Sequence, residues 1–542
     1  MEISFGKIQS ESPFEEAPPE LKKTKAYSGD YWGAFSLEKF ASAGALTYTH
    51  EDVGGWLAYL QKFHPRNFWY KDSNVRIWAY YEQYDNWQDT YGLDAVLAAY
   101  HSGHGGMDAS GKFYAPLGAD WGGLGTTACS HNMRLGNEQV NYIFWSTCLS
   151  CRVLGGQNPI KTWSPANLGF RMLFGYETVS IDSPNYGKYF WQEWKKGKSF
   201  STAFLDASWR IYHGQAPAVV ACGKDKEEAK NRVFNERKFS WPHVKTNWWW
   251  WRWYYAASAA TTVRTPNVAL PKKLLVAELE PVDINEQYIR DVIGRFGLEE
   301  KLPIKIIAAP GDVFYQKNEN VGLAFADDGS YEVQLAQPNI SNTEQIPLEK
   351  AKSIATEAIK RYGLDKNVDL IFDCVRLSSE GGGSSEATGQ LEGPFVTEST
   401  VQFRQVINDL PVLTPEAGTV RVSVDNDGSI TAIHSLTRPI DRLVDRPKNT
   451  TSTPEEKEAI AKPKATDVTE YEQLLTAEWQ KLLAGWVTRG SVPTQYTVVP
   501  DSTEIGYDIR GNEAVLVARR VIEVELGNGY RKLYFVEAPI LE

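Results

Sequence analysis

Residues 94–106 read Asp94-Ala95-Val96-Leu97-Ala98-Ala99-Tyr100-His101-Ser102-Gly103-His104-Gly105-Gly106. The apolar run ending at Tyr100 has the length and composition of a buried β-strand, and it feeds directly into a glycine-rich turn bearing two histidines. Forty-four residues after His104 the pattern recurs: Val140 to Trp145 is a second buried strand, running into Ser146-Thr147-Cys148-Leu149-Ser150-Cys151. Further strands are expected at Val75–Tyr80 and Met172–Ser180, with helices at Lys188–Lys196 and from Ser199, whose hydroxyl suits an N-cap. Alternating strands and helices imply a largely parallel sheet, and in an open α/β sheet sites form past the C-terminal strand ends.

An imidazole and a thiol on neighbouring strand tips suit a thiolate–imidazolium pair. His104 and Cys148 are therefore the expected catalytic residues, with the Gly105 and Cys148 backbone N–H groups as an oxyanion hole. Ser146, Glu177 and Asp182 are candidate substrate-binding residues, and Asp120 is a further loop carboxylate. Two rival readings use the same region. His101, His104, Cys129, His131, Cys148 and Cys151 are zinc-type ligands, although without finger-like spacing. Cys148-x-x-Cys151 at a strand end also fits a redox pair. No metal or cofactor is expected on the preferred reading.

Tyr100-His101-Ser102-Gly103-His104-Gly105 resembles the strand and Ser-Gly-His-Gly turn of caspase-like cysteine peptidases (clan CD, of metacaspase, gingipain or legumain type), and Phe144 to Ser150 resembles their nucleophile-bearing strand. The resemblance implies an α/β caspase-like domain, His104 as base or imidazolium partner, and Cys148 as nucleophile. It extends through Gly197-Lys198-Ser199-Phe200 to Trp209. There are departures. Metacaspases usually carry an acidic residue two before the nucleophile, where this chain has Ser146, so a basic P1 preference is not inherited. Cys151 lies where a glycine is usual.

The chain has 542 residues, 42% hydrophobic and 23% charged, so two to four globular domains are expected. A net charge of −11 argues against nucleic acid as a partner. Five cysteines are too few for a disulfide framework. The first residues lack an apolar signal core and no run reaches membrane-spanning length, so a cytoplasmic location without a membrane span is expected.

The expected organisation is a solvated tail (1–28), the caspase-like region (29–225), a charged and Trp-rich connector (226–270), repeated α+β modules (271–445), a linker (446–468) and a C-terminal α+β module (469–542). Helix ends at Gly297 and Gly363 and hairpin turns at Asp328-Gly329, Asp427-Gly428 and Asn528-Gly529 define the modules, which resemble PepSY-like modules in pattern. Ser378–Ser385 reads as a flexible Gly/Ser loop, and Trp248–Tyr255 as an aromatic run packed on the first domain. The expected function is a caspase-like cysteine endopeptidase acting on a peptide or protein substrate. A peptide ligase or cyclase using the same dyad, or an inactive peptide- or glycan-binding regulator, are the alternatives. The C-terminal modules are candidates for a built-in inhibitor or substrate receptor.

Overall fold

The structure is a computed structural model. It describes residues 2–5, 10–17, 30–83, 87–257, 275–298, 305–308, 314–317, 321–326, 328–386, 390–415, 417–444, 468–488 and 493–540. Residues 446–467 of the expected linker and residues 258–270 of the expected connector lie outside these.

The fold is mixed α/β, dominated by one 15-stranded sheet. Its first half is built from β1 (Trp32–Ser36), β2 (Phe68–Lys71), β3 (Ala98–Ser102), β4 (Tyr142–Ser146), β5 (Met172–Tyr176), β6 (Pro217–Gly223) and β7 (Trp248–Ala256). Strands β2-β1-β3-β4-β5 lie side by side and parallel, and β6 and β7 follow antiparallel. All of β1, β3, β4, β5 and β6 is buried, which is why these runs are mainly apolar up to their C-terminal ends. One face is covered by helices α1 (Thr49–Leu60), α2 (Tyr186–Lys195), α3 (Phe200–Ile211) and α4 (Lys226–Asn235). Val53, Trp56, Leu57 and Leu60 recur at helical spacing and carry α1 onto the sheet. The Ser199 side chain caps α3 by accepting from the Thr202 N–H, as its sequence suggests.

The second half is antiparallel: β8 (Phe314–Lys317), β9 (Gly322–Phe325), β10 (Tyr331–Gln334), β11 (Asp369–Ser384), β12 (Leu391–Ile407), β13 (Thr419–Asp425) and β14 (Ile430–Ser435). Counting these strands, the sheet as a whole is mostly antiparallel, in the order β8-β9-β10-β14-β13-β12-β11-β7. Helices α5 (Glu286–Phe296) and α6 (Leu348–Arg361) pack on its apolar face against Val420, Val422 and Val424. Their ends fall at the expected glycines, Gly297 (φ 62°) and Gly363 (φ 58°). A separate six-stranded sheet contains the hairpin β15 (Glu513–Glu525) and β16 (Arg531–Pro539) and is covered by α7 (Val468–Thr488). Strands 276–279 and 440–444 join that sheet, so the expected boundary between 271–445 and 469–542 is crossed by hydrogen-bonded pairing.

Four local expectations are corrected. The Trp-rich run is no connector: Trp248–Ala256 is an interior strand, paired with β6 on one side and β11 on the other. Trp249, Trp251 and Trp253 face one core and Trp250 and Tyr254 the other. Each buried ring removes roughly 150–250 Å² from water, about 4–6 kcal/mol of hydrophobic driving force. The Gly/Ser stretch is no loop: it is the end of β11, with Gly381, Gly382 and Gly383 opposite Trp251, Trp250 and Trp249. Gly382 and Gly381 make room for indoles, since a Cβ would stand 2.0 Å from the Trp250 ring and 3.1 Å from the Trp251 ring respectively, whereas one on Gly383 would meet the Gln390 carbonyl at 2.8 Å. Val75–Tyr80 forms short 3-10 turns rather than a strand. Residues 10–17 of the expected tail are partly docked: Phe14 is buried against Phe239, and the Phe239 N–H donates to the Pro13 carbonyl at 2.7 Å.

Gly382→Ala forces the Trp250 ring from its place, so urea unfolding of the purified variant should show a loss of about 1–3 kcal/mol. A stability equal to the parent's would mean that the glycine–indole fit is not constraining.

Candidate active site at the strand tips

Strands β3 and β4 are parallel neighbours in a register that sets Ser102 opposite Ser146. His104 and Cys148 each lie two residues beyond that pair, so both leave the sheet at the same level of its C-terminal edge. Gly105 lies against the turn that carries Cys148: a Cβ there would come within 2.3 Å of the Cys148 carbonyl oxygen. No larger residue fits at that approach.

Beneath the tips sits Asp52 of α1, 1% exposed. Its carboxylate accepts from the Tyr100 hydroxyl (2.8 Å), the Ser102 hydroxyl (2.7 Å) and the Gly187 N–H (3.0 Å), and also bonds Ser146. Burial raises its pKa, and the hydrogen bonds oppose that rise. Asp52 ties both reactive-strand ends to α1 and to the start of α2. Ser146, a candidate for substrate contact, is thus turned to Asp52 and is 4% exposed.

Past Ser146 the chain turns sharply. Leu149 adopts a left-handed conformation (φ 58°), which costs a non-glycine residue about 1 kcal/mol or more. The turn is anchored by the Ser150 hydroxyl donating to the Thr147 carbonyl (3.0 Å) and by the Cys151 N–H donating to the Tyr176 carbonyl (3.0 Å). Glu177 is used up in holding this loop: it accepts from the Val153 and Leu154 N–H groups and pairs with Arg152 at 3.2 Å. Asp120 accepts from Gly123 and Gly125 in its own exposed loop.

The His104 ring is fully buried. Its Nε2–H donates to the Gly44 carbonyl at 2.9 Å, which leaves Nδ1 as the lone-pair nitrogen, buried and without a hydrogen-bond partner among the described residues. Burial, reinforced by the positive charge of Lys532, pulls its pKa down to about 3. His101 points to the opposite face of β3, where its Nδ1 meets the Tyr80 hydroxyl at 2.7 Å, and burial likewise lowers it to about 3.

Cys148 is 1% exposed. Its thiol donates to the Arg531 carbonyl at 3.2 Å, and the Ser180 N–H (3.3 Å) and hydroxyl (3.5 Å) adjoin the sulfur. Arg531 opens β16, so the C-terminal hairpin lies across the thiol. Main-chain bonds join Leu533 N–H to the Ser180 carbonyl (3.1 Å) and Asp182 N–H to the Leu533 carbonyl (3.0 Å). Between them the Lys532 side chain, 3% exposed, enters the site and its ammonium donates to the Ser180 hydroxyl at 2.9 Å. Asp182 is buried beside it: desolvation raises that carboxyl, and the Lys532 charge and the Thr47 N–H (2.8 Å) counter the rise. The Tyr530 ring covers Gly106 and adjoins His104 at 5.8 Å between centroids.

A family model described as "Domain of unknown function (DUF6345)" matches residues 32–254. The matched region opens with β1, closes within β7, and contains both His104 and Cys148. No curated protein matches the chain.

The six zinc-type residues do not converge. Cys151 is a core residue, His131 bonds the Lys161 carbonyl at 3.1 Å, and the one metal-compatible group among the described residues, His213, Asp373 and Cys374, contains none of them. In that group Asp373 is already paired with Arg404 at 3.0 Å and Gln402 at 2.6 Å. All five cysteines are free thiols. Among the described residues, no helix is long and apolar enough to cross a membrane. Sequence reasoning missed Asp52, Ser180, Tyr530 and Lys532. Only Asp52 had a local signal, a lone acid among the buried positions of α1.

His101 and His104 are neutral in the folded chain but titrate near 6.5 once unfolded, so between about pH 6.5 and 3 the unfolded state binds more protons. Their contribution to stability is complete above pH 6.5 and is lost as pH falls through that window. His101→Gln removes one such proton, so its drop in unfolding free energy from about pH 6.5 to 5 should be smaller than the parent's by about 1.6 kcal/mol. Equal drops in urea denaturation would show that folded His101 already carries the proton.

Proposed function

We propose that the chain is a caspase-like cysteine peptidase held latent by its own C-terminal hairpin. The observation carrying this reading is the arrangement at the strand tips. A thiol and an imidazole follow two adjacent parallel strands at equal depth, and a peptide carbonyl of the same chain lies 3.2 Å from the sulfur.

On this reading Cys148 thiolate attacks a substrate carbonyl carbon. The proton it gives up passes to His104 Nδ1, the unpartnered lone-pair nitrogen, and from there to the leaving amine. The Cys148 and Gly105 N–H groups hold the oxyanion, and water releases the acyl group. An incoming amine in place of water makes the same site a ligase.

The segment Tyr530–Leu533 then stands where a substrate peptide lies. Its backbone pairs with Ser180–Asp182 as an added strand would, and its lysine fills a recess ending at Ser180 and Asp182. A substrate with a basic side chain is the matching class, recognised through Asp182 in place of the acid absent at Ser146. The second reading, an inactive binding protein, is favoured by the engagement of both reactive groups elsewhere: the thiol with Arg531 and the imidazole with Gly44.

The experiment that separates them loosens the hairpin in the full chain with Tyr530→Ala and Lys532→Ala. Hydrolysis of a lysine-containing fluorogenic peptide library should rise at least tenfold over the parent, and iodoacetamide should label Cys148 stoichiometrically near pH 7. Adding Cys148→Ala should abolish the hydrolysis. Turnover that survives Cys148→Ala, or a loosened variant that neither cleaves peptides nor alkylates at Cys148, would end the peptidase reading.

A further inference from the structure

The alternation of the second half-sheet leaves it one polar face. In β13, Val420, Val422 and Val424 enter the apolar core beneath α6, so Arg421 and Ser423 point the other way, toward α2 and α3 of the first half. The two halves meet across charged side chains, and between them lies a cavity of about 570 Å³.

Four carboxylates line it: three are already claimed by cations, and the fourth, Glu398, accepts from the Thr431 hydroxyl and has its pKa raised by burial. Lys198 Nζ reaches Glu193 (2.7 Å), Asp206 (2.7 Å) and Glu332 (2.8 Å), while Arg376 takes the other oxygen of Asp206 at 2.7 Å. Arg421 is different. It is 5% exposed and lines the cavity, and its Nε donates to the Gln402 side-chain oxygen at 2.9 Å. Its Nη2 is buried with no hydrogen-bond partner among the described residues. Burial first, and the like charge of Arg376 next, lower its pKa to about 10, more than the opposing charges of Asp206 and Glu193 restore. A buried cation persists only when paired, and an unmet guanidinium N–H carries the full desolvation penalty.

We propose that this cavity is a binding site for a small oxyanion, whose oxygens fork onto the guanidinium edge of Arg421. The planar donors of arginine match such a group bidentately, and no residue of the strand-tip site takes part. The proposal is therefore independent of the peptidase reading. Because α2, α3 and β13 all contribute to the wall, the bound anion stitches the two halves of the sheet together.

The test uses the full chain, with inorganic phosphate and acetate as probes and chloride at matched ionic strength as reference. One of the two oxyanions should raise the thermal midpoint saturably beyond chloride, and which one does so assigns a phosphoryl or a carboxylate ligand. Arg421→Gln should weaken the half-saturating concentration at least tenfold. Arg421→Lys, which keeps the charge and loses the fork, should fall between. Selenate soaked into crystals of the parent protein gives a reading independent of any variant: anomalous density is expected within hydrogen-bond reach of Arg421. Stabilisation no greater than that of chloride, equal stabilisation of parent and Arg421→Gln, or selenate absent from the cavity would overturn the proposal.

Discussion

The interlock of indoles and glycines along β7 and β11 is the constraint on which the molecule's shape depends. On its β6 side the strand lies against small and β-branched residues, and on its β11 side Gly381–Gly383 stands opposite Trp251, Trp250 and Trp249, with no room for a Cβ beside the Trp250 ring. Through that seam the first half of the sheet, already antiparallel from β6 on, continues into the second without a break. The seam also fixes which faces of the two halves confront each other, and so creates the charged layer between α2, α3 and β13.

A second layer of organisation sits at the strand ends. Asp52 gathers hydroxyls from β3 and β4 and an N–H from α2 into one buried carboxylate. Such a cluster is stabilising only when each member is satisfied, and its geometry sets the height at which the polypeptide leaves the sheet toward His104 and Cys148. The hairpin β15–β16 then closes over the edge with main-chain bonds to Ser180 and Asp182 and a ring over Gly106. Rigid tips and a cover drawn from another sheet are two separable parts, one local in sequence and the other remote.

That division explains what could be read from the residues alone. The strand tips were legible because an apolar run ending in polar residues has few other meanings, and the positions of His104 and Cys148 just past two neighbouring strand ends followed from it. Helix ends at Gly297 and Gly363 and the turns at Gly329, Gly428 and Gly529 were legible because positive φ is a local demand. The seam was not. Ser378–Ser385 has the composition of a flexible linker, and only the partner strand reveals that its glycines make room for indoles. Nor was the cover: the contact between Cys148 and Arg531 spans 383 residues, and nothing near either residue announces the other. Glu177 was chosen for its place after a strand, but four hydrogen-bond donors from the 152–154 turn already occupy it.

The 383 residues between thiol and cover also have a meaning in time. Synthesis proceeds at roughly 5–20 residues per second, so Cys148 leaves the ribosome about 20–75 s before Arg531 does. The first half-sheet, assembled from contiguous sequence, has that interval to form with its strand tips bare. During translation the nascent chain therefore passes through a stage in which its thiol meets the surroundings, before the last hairpin arrives to shut it away.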